Sequence, residues 1–330
     1  MESCIISTEM PDLVDIVRRW GGSTADGVLD PLCRIFQTPE IEGVIGFRLA
    51  HGCAIVFGDP MSAPGNKMTL ARAFQRYCQE QNWNVIYIIA SEEFTRQYMA
   101  EGKAASVKFG EELYLDPHKD PMKNTGENGC LVRRKVRRAI REGLTFHEYS
   151  NNRDLEQGIK QVASSWLQGR DGPQIHISHA NVFENRMGKR WFYAERDGNL
   201  MGVVVLNELK SKQGWLLNHL MPRPEAPHGT SELLVVSALN KLAEENCHYV
   251  TFGAVPADAL HEVEGLGQFS SWLAKLSYKM ARRIFHLDGP GTFWGKFLPQ
   301  SKPCYVIFSS GHVTIKGVMA LMRALNVTLT

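Results

Sequence analysis

Trp191-Phe192-Tyr193-Ala194-Glu195-Arg196-Asp197-Gly198-Asn199-Leu200-Met201-Gly202-Val203-Val204-Val205-Leu206 is the stretch that decides the fold. Asp197-Gly198-Asn199 is a strong hairpin turn, and the apolar runs on either side, 191–196 and 200–206, read as its two antiparallel strands. Outward from the hairpin, 214–220 reads as a third strand. A helix over 155–167 precedes the hairpin, and a helix over 231–246 and a strand over 249–252 follow it. Meander strands, a loop, a long helix and another strand predict a mixed α/β layer.

This order is the one expected of an acyltransferase of the general N-acetyltransferase (GNAT) type, and the first half repeats it more loosely. Residues 44–49 and 53–57 form a hairpin pattern around His51-Gly52, ended by Gly58-Asp59-Pro60. A helix follows over 69–81 with Leu70, Phe74 and Tyr77 on one face, then a strand over 85–90, a short helix over 92–99 and a strand over 107–115. The chain therefore reads as a tandem duplication of one α/β (α+β) fold, two mixed sheets flanked by helices. The expected units are 1–148 and a catalytic 149–330.

At 330 residues the length suits two units of about 150 each, and 44% hydrophobic with 22% charged residues excludes wholesale disorder and fibrous repeats. Cys4, Cys33, Cys53, Cys78, Cys130, Cys247 and Cys304 are scattered without a Cys-x-x-Cys pair, which fits reduced packing thiols in a cytosol-like compartment. Met1-Glu2-Ser3-Cys4 opens no basic and then apolar leader. No apolar run approaches the roughly 18 residues that cross a bilayer. The expectation is a cytoplasmic protein that meets any lipid at the membrane surface, on its cytosolic face.

The net charge is only +2, but its distribution is uneven. Arg133, Arg134, Lys135, Arg137, Arg138 and Arg141 crowd one segment, in which Val132, Val136 and Ile140 recur every four residues. That predicts an amphipathic helix after a loop over 116–129, with Gly143 as C-cap and cations facing outward. A solvated face and a polyphosphate-binding face are both consistent with it.

An ordered set of motifs resembles the C-terminal catalytic region of the phosphatidylglycerol lysyltransferases, or multiple peptide resistance factors. In the first half these are Phe57-Gly58-Asp59-Pro60, Lys108-Phe109-Gly110-Glu111-Glu112 and Leu131-Val132-Arg133-Arg134. In the second they are Leu220-Met221, Ala226-Pro227-His228-Gly229-Thr230, Phe252-Gly253-Ala254-Val255-Pro256, and Lys296-Phe297-Leu298-Pro299 leading to Pro303-Cys304-Tyr305. Trp166-Leu167-Gln168-Gly169-Arg170, Gln174-Ile175-His176-Ile177-Ser178 and Cys53-Ala54-Ile55-Val56-Phe57 look closer to a sub-branch, the ergosteryl amino-acid synthases. The resemblance implies transfer of an amino acid from aminoacyl-tRNA to a lipid hydroxyl, phosphatidylglycerol or a sterol. It implies no cofactor besides that co-substrate, and no metal. Where the lysyltransferases carry Asp before Leu-Met and Arg after it, this chain has His219 and Pro222-Arg223, so their amino-acid selectivity does not carry over.

An aminoacyl ester is already activated, so transfer needs a base for the acceptor hydroxyl, a stabiliser of the tetrahedral oxyanion and a seat for the substrate ammonium. His219 is the candidate base, since imidazole titrates near pH 6.5; the tRNA ribose hydroxyl is the alternative shuttle. Arg223 and Lys296 are the oxyanion candidates. Glu232 is the candidate ammonium partner, although a carboxylate in a first helical turn is also favoured by about 0.3–1 kcal/mol on dipole grounds alone. Tyr193, His228, Gly229, Gly253 and Tyr305 are taken as substrate-binding, and the six cations of the basic helix as tRNA-binding.

Two C-terminal stretches, 271–285 and 313–327, are amphipathic and suit either an anionic interface or core packing. Rival activities are transfer to a peptide or cell-wall precursor, and acetyl-CoA-dependent N-acetylation. The latter is disfavoured because Pro224 and Pro227 remove amides from the loop that would cradle a pyrophosphate. A non-catalytic tRNA- or membrane-binding module is the remaining class.

Overall fold

The computed structural model describes residues 10–169, 182–257, 260, 263–285 and 288–325. In chain order the elements are α1 (Met10–Trp20), β1 (Arg34–Thr38), β2 (Ile41–Ala50), β3 (Cys53–Phe57), β4 (Met61–Ser62), α2 (Lys67–Glu80), β5 (Asn84–Ser91), α3 (Glu92–Met99), β6 (Ala105–Leu115), α4 (Gly126–Arg141) and β7 (Thr145–Glu148). There follow α5 (Arg153–Gln168), β8 (Lys189–Arg196), β9 (Asn199–Leu209), β10 (Gly214–Pro222), α6 (Thr230–Glu244), β11 (Val250–Pro256), β12 (Val263–Glu264), α7 (Gln268–Phe285), α8 (Asp288–Gly295), β13 (Gln300–Phe308) and α9 (Ile315–Ala324). The stretch 174–178 and Arg170 lie outside the described residues, as do the side chains of Met280, Arg282, Arg283 and Ile284.

The hairpin forms where the sequence puts it. β8 and β9 pair antiparallel from Lys189↔Asn207 to Arg196↔Asn199, and Asp197 and Gly198 both take the positive φ that a tight hairpin turn requires. The mixed α/β, GNAT-like arrangement is also as expected. In each half an antiparallel meander leads into a parallel pair joined through one helix: β3 and β5 through α2, β10 and β11 through α6. The two sheets meet edge to edge and run on as one, in the order β1-β2-β3-β5-β13-β6-β11-β10-β9-β8-β7, with β12 on β6 and β4 on β2. The junction is an exchange: β6, from the first half, pairs with β11, and β13, near the end of the chain, lies between β5 and β6.

In the second half the sheet carries a helical layer on each face. Phe192, Val204, Leu206 and Leu217 pack with α4 and α6, while Trp191, Tyr193, Val203, Val205 and Met221 pack under α5. This alternation follows from the two-residue period of the strands.

α4 departs from its expected pattern in two ways. Its buried stripe is Val132, Val136 and Ala139, and Ile140 is 55% exposed; at 100° per residue the position seven along returns to the starting face, while the eighth has turned about 80° away. The helix also starts at Gly126, inside the expected loop. Gly129 permits this, since a Cβ there would sit 1.9 Å from the Asn124 carbonyl oxygen. The six described cysteines are free thiols.

Candidate functional site

β10 and β11 pair at only two positions, Trp215↔Val250 and Leu216↔Thr251. Beyond them β10 continues along β9 to Pro222, and β11 continues along β6 to Pro256. Bulges between Leu217 and His219 and between Thr251 and Gly253 turn the two strands apart at the same level. Gly253 sits at φ 82°, with open space where a Cβ would project. A gap between parallel strands, in front of the helix that connects them, is where an extended substrate can enter a sheet of this kind.

The start of α6 is fixed behind this gap. Gly229 adopts φ 99°, and a Cβ there would lie 2.2 Å from the Lys135 carbonyl oxygen, so the helix start is pressed directly onto α4. Thr230 Oγ1 donates to the Pro227 carbonyl at 2.6 Å. Glu232 is 7% exposed and accepts a 2.5 Å hydrogen bond from Lys296 Nζ. Lys296 follows α8, and its ammonium lies 3.7 Å from the centre of the Phe293 ring and 5.5 Å from that of Phe297. Burial draws this ammonium below the usual lysine range, Glu232 works against that, and nearby Lys135 adds to it. Trp294 stacks on Phe252 at 4.2 Å and closes the aromatic wall. The result is an ammonium in an apolar enclosure, paired with a carboxylate, the setting in which a positive charge acts most strongly on a developing oxyanion.

The candidate residues are thus divided. Glu232, Lys296 and Gly229 come together against Lys135 of the basic helix. His219 stands opposite Val205, and Tyr193 opposite Val203, which puts both on the α5 face of the sheet. Tyr193 is buried, its phenol raised above the usual range by burial and then by Glu195, and it stacks with His147 at 5.3 Å. Arg223 donates through Nε to the Leu200 carbonyl at 2.7 Å and borders a separate cavity of about 280 Å³ with Gly158, Gln161 and Glu225. His228 is exposed, in the loop before α6. Tyr305 belongs to β13, opposite Lys108 and Ala90, away from β10 and β11.

Sequence reasoning missed the enclosure around Lys296. Its signal was Phe293-Trp294 and Phe297 flanking the lysine. The Phe57-Gly58-Asp59-Pro60 motif proves to be a clasp: Asp59 accepts from Lys67 Nζ, Ser91 N and Ser91 Oγ at 2.8–2.9 Å.

On the basic helix, Arg134, Arg137, Arg138 and Arg141 are exposed, and Arg138 pairs with Glu142. Arg133 is turned inward instead, donating to the carbonyls of Met122 at 2.9 Å and Asn124 at 2.6 Å, so it braces the preceding loop.

The same architecture occurs in known proteins. The profile of a family described as phosphatidylglycerol lysyltransferase, C-terminal, matches residues 31–308. A phosphatidylglycerol lysyltransferase of Staphylococcus epidermidis is 20% identical over 325 residues, covering 94% of this chain and 37% of its own. A bifunctional lysylphosphatidylglycerol biosynthesis protein of Mycobacterium ulcerans is 26% identical over 204 residues, 58% of this chain and 17% of its own. The chain thus spans about a third or less of the curated relatives it matches. Among solved structures, L-PGS from Bacillus licheniformis superposes with a TM-score of 0.78 at 17% identity, covering 96% of both chains. The C-terminal domain of a protein described as a lysylphosphatidylglycerol synthetase from Agrobacterium fabrum gives 0.78 at 19%, covering 96% of this chain and 94% of that one. These two show the fold.

Proposed function

The chain belongs to the phosphatidylglycerol lysyltransferase C-terminal family, and from that premise we propose that it transfers an aminoacyl group from aminoacyl-tRNA to a lipid hydroxyl. The observation that carries the reading is the enclosed Lys296–Glu232 pair behind the parting of β10 and β11, with the basic helix on its flank. An incoming hydroxyl attacks the ester carbonyl, Lys296 offsets the charge on the tetrahedral oxygen, and the tRNA 3′-terminal ribose leaves. Glu232 holds Lys296 in place and is the carboxylate available to a substrate ammonium. His219 approaches from the other face of the sheet as the base, the ribose hydroxyl being the alternative proton carrier.

The acceptor side rests on the surface of α7 and α9. Phe269, Trp272 and Leu276 of α7 and Ile315 and Met319 of α9 are 40–69% exposed, with Lys275, Lys279, Lys316 and Arg323 exposed among them. Between these helices and the sheet lies a cavity of about 170 Å³ lined by Phe109, Ala274, Val318 and Leu321, among others. No helix among the described residues is long and apolar enough to cross a membrane. The arrangement suits a peripheral protein on an anionic cytosolic surface, with phosphatidylglycerol or a sterol as acceptor. Acetyl-CoA chemistry is less well supported, because the loop before α6 is pressed onto α4 and carries Pro224 and Pro227 where amides would be needed.

The test is purified protein given charged tRNAs with vesicles containing either phosphatidylglycerol or sterol. The expected result is a labelled lipid with one acceptor and deacylation that depends on it. Absence of lipid labelling with every charged tRNA and both acceptors would overturn the reading. Replacing Arg134, Arg137, Arg138 and Arg141 by Ala is expected to weaken tRNA binding and to reduce the slope of log affinity against log salt by about one for each phosphate no longer engaged. An unchanged slope, measured by filter binding across a salt series, would remove tRNA from this helix.

A further inference from the structure

We propose that Asp116, His118 and His248 form a binding site for a zinc-class divalent cation, independent of the transfer chemistry. The three come from two segments that the fold brings together: Asp116 and His118 follow the end of β6, and His248 precedes the start of β11. Their ligand atoms, one carboxylate oxygen and two imidazole nitrogens, all lie within 4.8 Å of one another. A triangle of that size has its centre about 2.8 Å from each donor, while zinc binds imidazole nitrogen and carboxylate oxygen at about 2.0–2.2 Å. Closing the difference takes a movement of under roughly 1 Å per donor, within reach of side-chain rotation because both histidines are exposed.

The geometry is already partly organised. Asp116 Oδ1 accepts from the His118 amide at 3.1 Å, and the Asp116 carbonyl accepts from the Lys119 amide at 2.9 Å, which fixes the turn that carries two of the donors. His248 Nδ1 lies 3.6 Å from the same Asp116 oxygen, and the His118 and His248 rings stack with centres 4.5 Å apart, so one exposed ring must turn for both in-plane nitrogen lone pairs to meet a single ion. Two imidazole nitrogens beside a carboxylate oxygen are a donor set that a borderline cation binds. Two nitrogens and one oxygen suit zinc and poorly suit magnesium or calcium, which take oxygen donors. Cys247 is not part of the set, since its Sγ is directed to the Tyr249 carbonyl at 3.4 Å. The remaining coordination position would be open to water.

The location gives the cation a structural effect. Leu115↔Val250 is the end pair of the β6–β11 ladder, so the metal would tie together the ends of the two strands through which the halves of the molecule join.

The experiment is equilibrium dialysis and thermal unfolding of the full chain without a histidine tag, using zinc and, in parallel, magnesium. The expected result is one zinc per chain, a melting temperature that rises with zinc, and no response to magnesium. In the His118→Ala/His248→Ala double variant both zinc responses should disappear while the metal-free melting temperature stays close to wild type, because both side chains are exposed. No saturable zinc binding by wild type, or undiminished binding by the double variant, would overturn the proposal. So would a magnesium response equal to that of zinc.

Discussion

Lys296→Met is expected to slow aminoacyl transfer about 10²–10³-fold, the usual effect of removing one oxyanion stabiliser. Methionine keeps the apolar contacts with Phe293 and Phe297 and removes only the charge. It also strands Glu232, whose side chain is 9% exposed, and an unpaired buried carboxylate costs about 3–5 kcal/mol unless it takes up a proton. A rate loss in the single variant could therefore come from loosened packing. Lys296→Met combined with Glu232→Gln, compared with Glu232→Gln alone, separates the two effects, since the pair is then neutral, stability should return toward wild type, and the rate difference between those two variants belongs to Lys296. Single-turnover transfer rates and urea midpoints, read on the same preparations, decide the matter. A double variant that is stable and still transfers at the wild-type rate would remove Lys296 from the chemistry.

The second large effect lies far from the site. Asp26→Asn is expected to cost about 3–5 kcal/mol of stability, a large part of a typical total of about 5–15. Arg18 is 1% exposed and meets Asp26 through two hydrogen bonds, at 2.9 and 2.7 Å, while its Nε donates to the Met187 carbonyl. Asn207 of β9 donates to the same carboxylate, so this ion pair joins α1 and the segment after it to the second half of the chain. Burial pushes the Asp26 carboxyl up, but Arg18, with help from Lys189 and Asn207, more than reverses this and holds it below the usual range. A carboxylate lowered in the folded state stabilises the fold above its unfolded pKa of about 3.9, and that contribution fades as the pH falls through the lower folded value. The gap between wild type and Asp26→Asn should therefore be full at neutral pH and shrink in acid. Adding Arg18→Met should recover most of the loss. A gap that did not depend on pH would mean that the charge on Asp26 is not what matters.

These two sites mark how far local reading reaches. The hairpin at Asp197-Gly198, the helices around residues 160 and 238 and the mixed α/β alternation were legible because turn chemistry and periodicity are written into adjacent residues. The direction of Arg133 was not, since an arginine facing loop carbonyls and one facing solvent have the same spacing. Ile140 misled because a four-residue recurrence drifts off the face within two turns. Lys296 and Glu232 were each chosen for their chemistry, yet their contact joins positions 64 apart and depends on α8 packing against β11. His219 and Arg223 were likewise chosen for their chemistry and Tyr193 as a substrate contact, and a residue's chemistry carries no information about the face of the sheet its side chain occupies. Reading along the chain also divides it at 148/149, and strands from the two sides of that line are neighbours in the sheet order at four places, β5–β13, β13–β6, β6–β11 and β8–β7, a crossing that only long-range pairing reveals.

That crossing bears on how the protein is made. β5 ends at Ser91, but one of its neighbours in the sheet, β13, begins only at Gln300. At about 5–20 residues per second, a ribosome needs roughly 10–40 s to supply the missing strand. Throughout that interval the edge of β5 stands open beside Tyr87 and Ile88, the type of edge that recruits another chain. A nascent chain of this fold is therefore a natural client for a chaperone until its last strand has emerged and inserted.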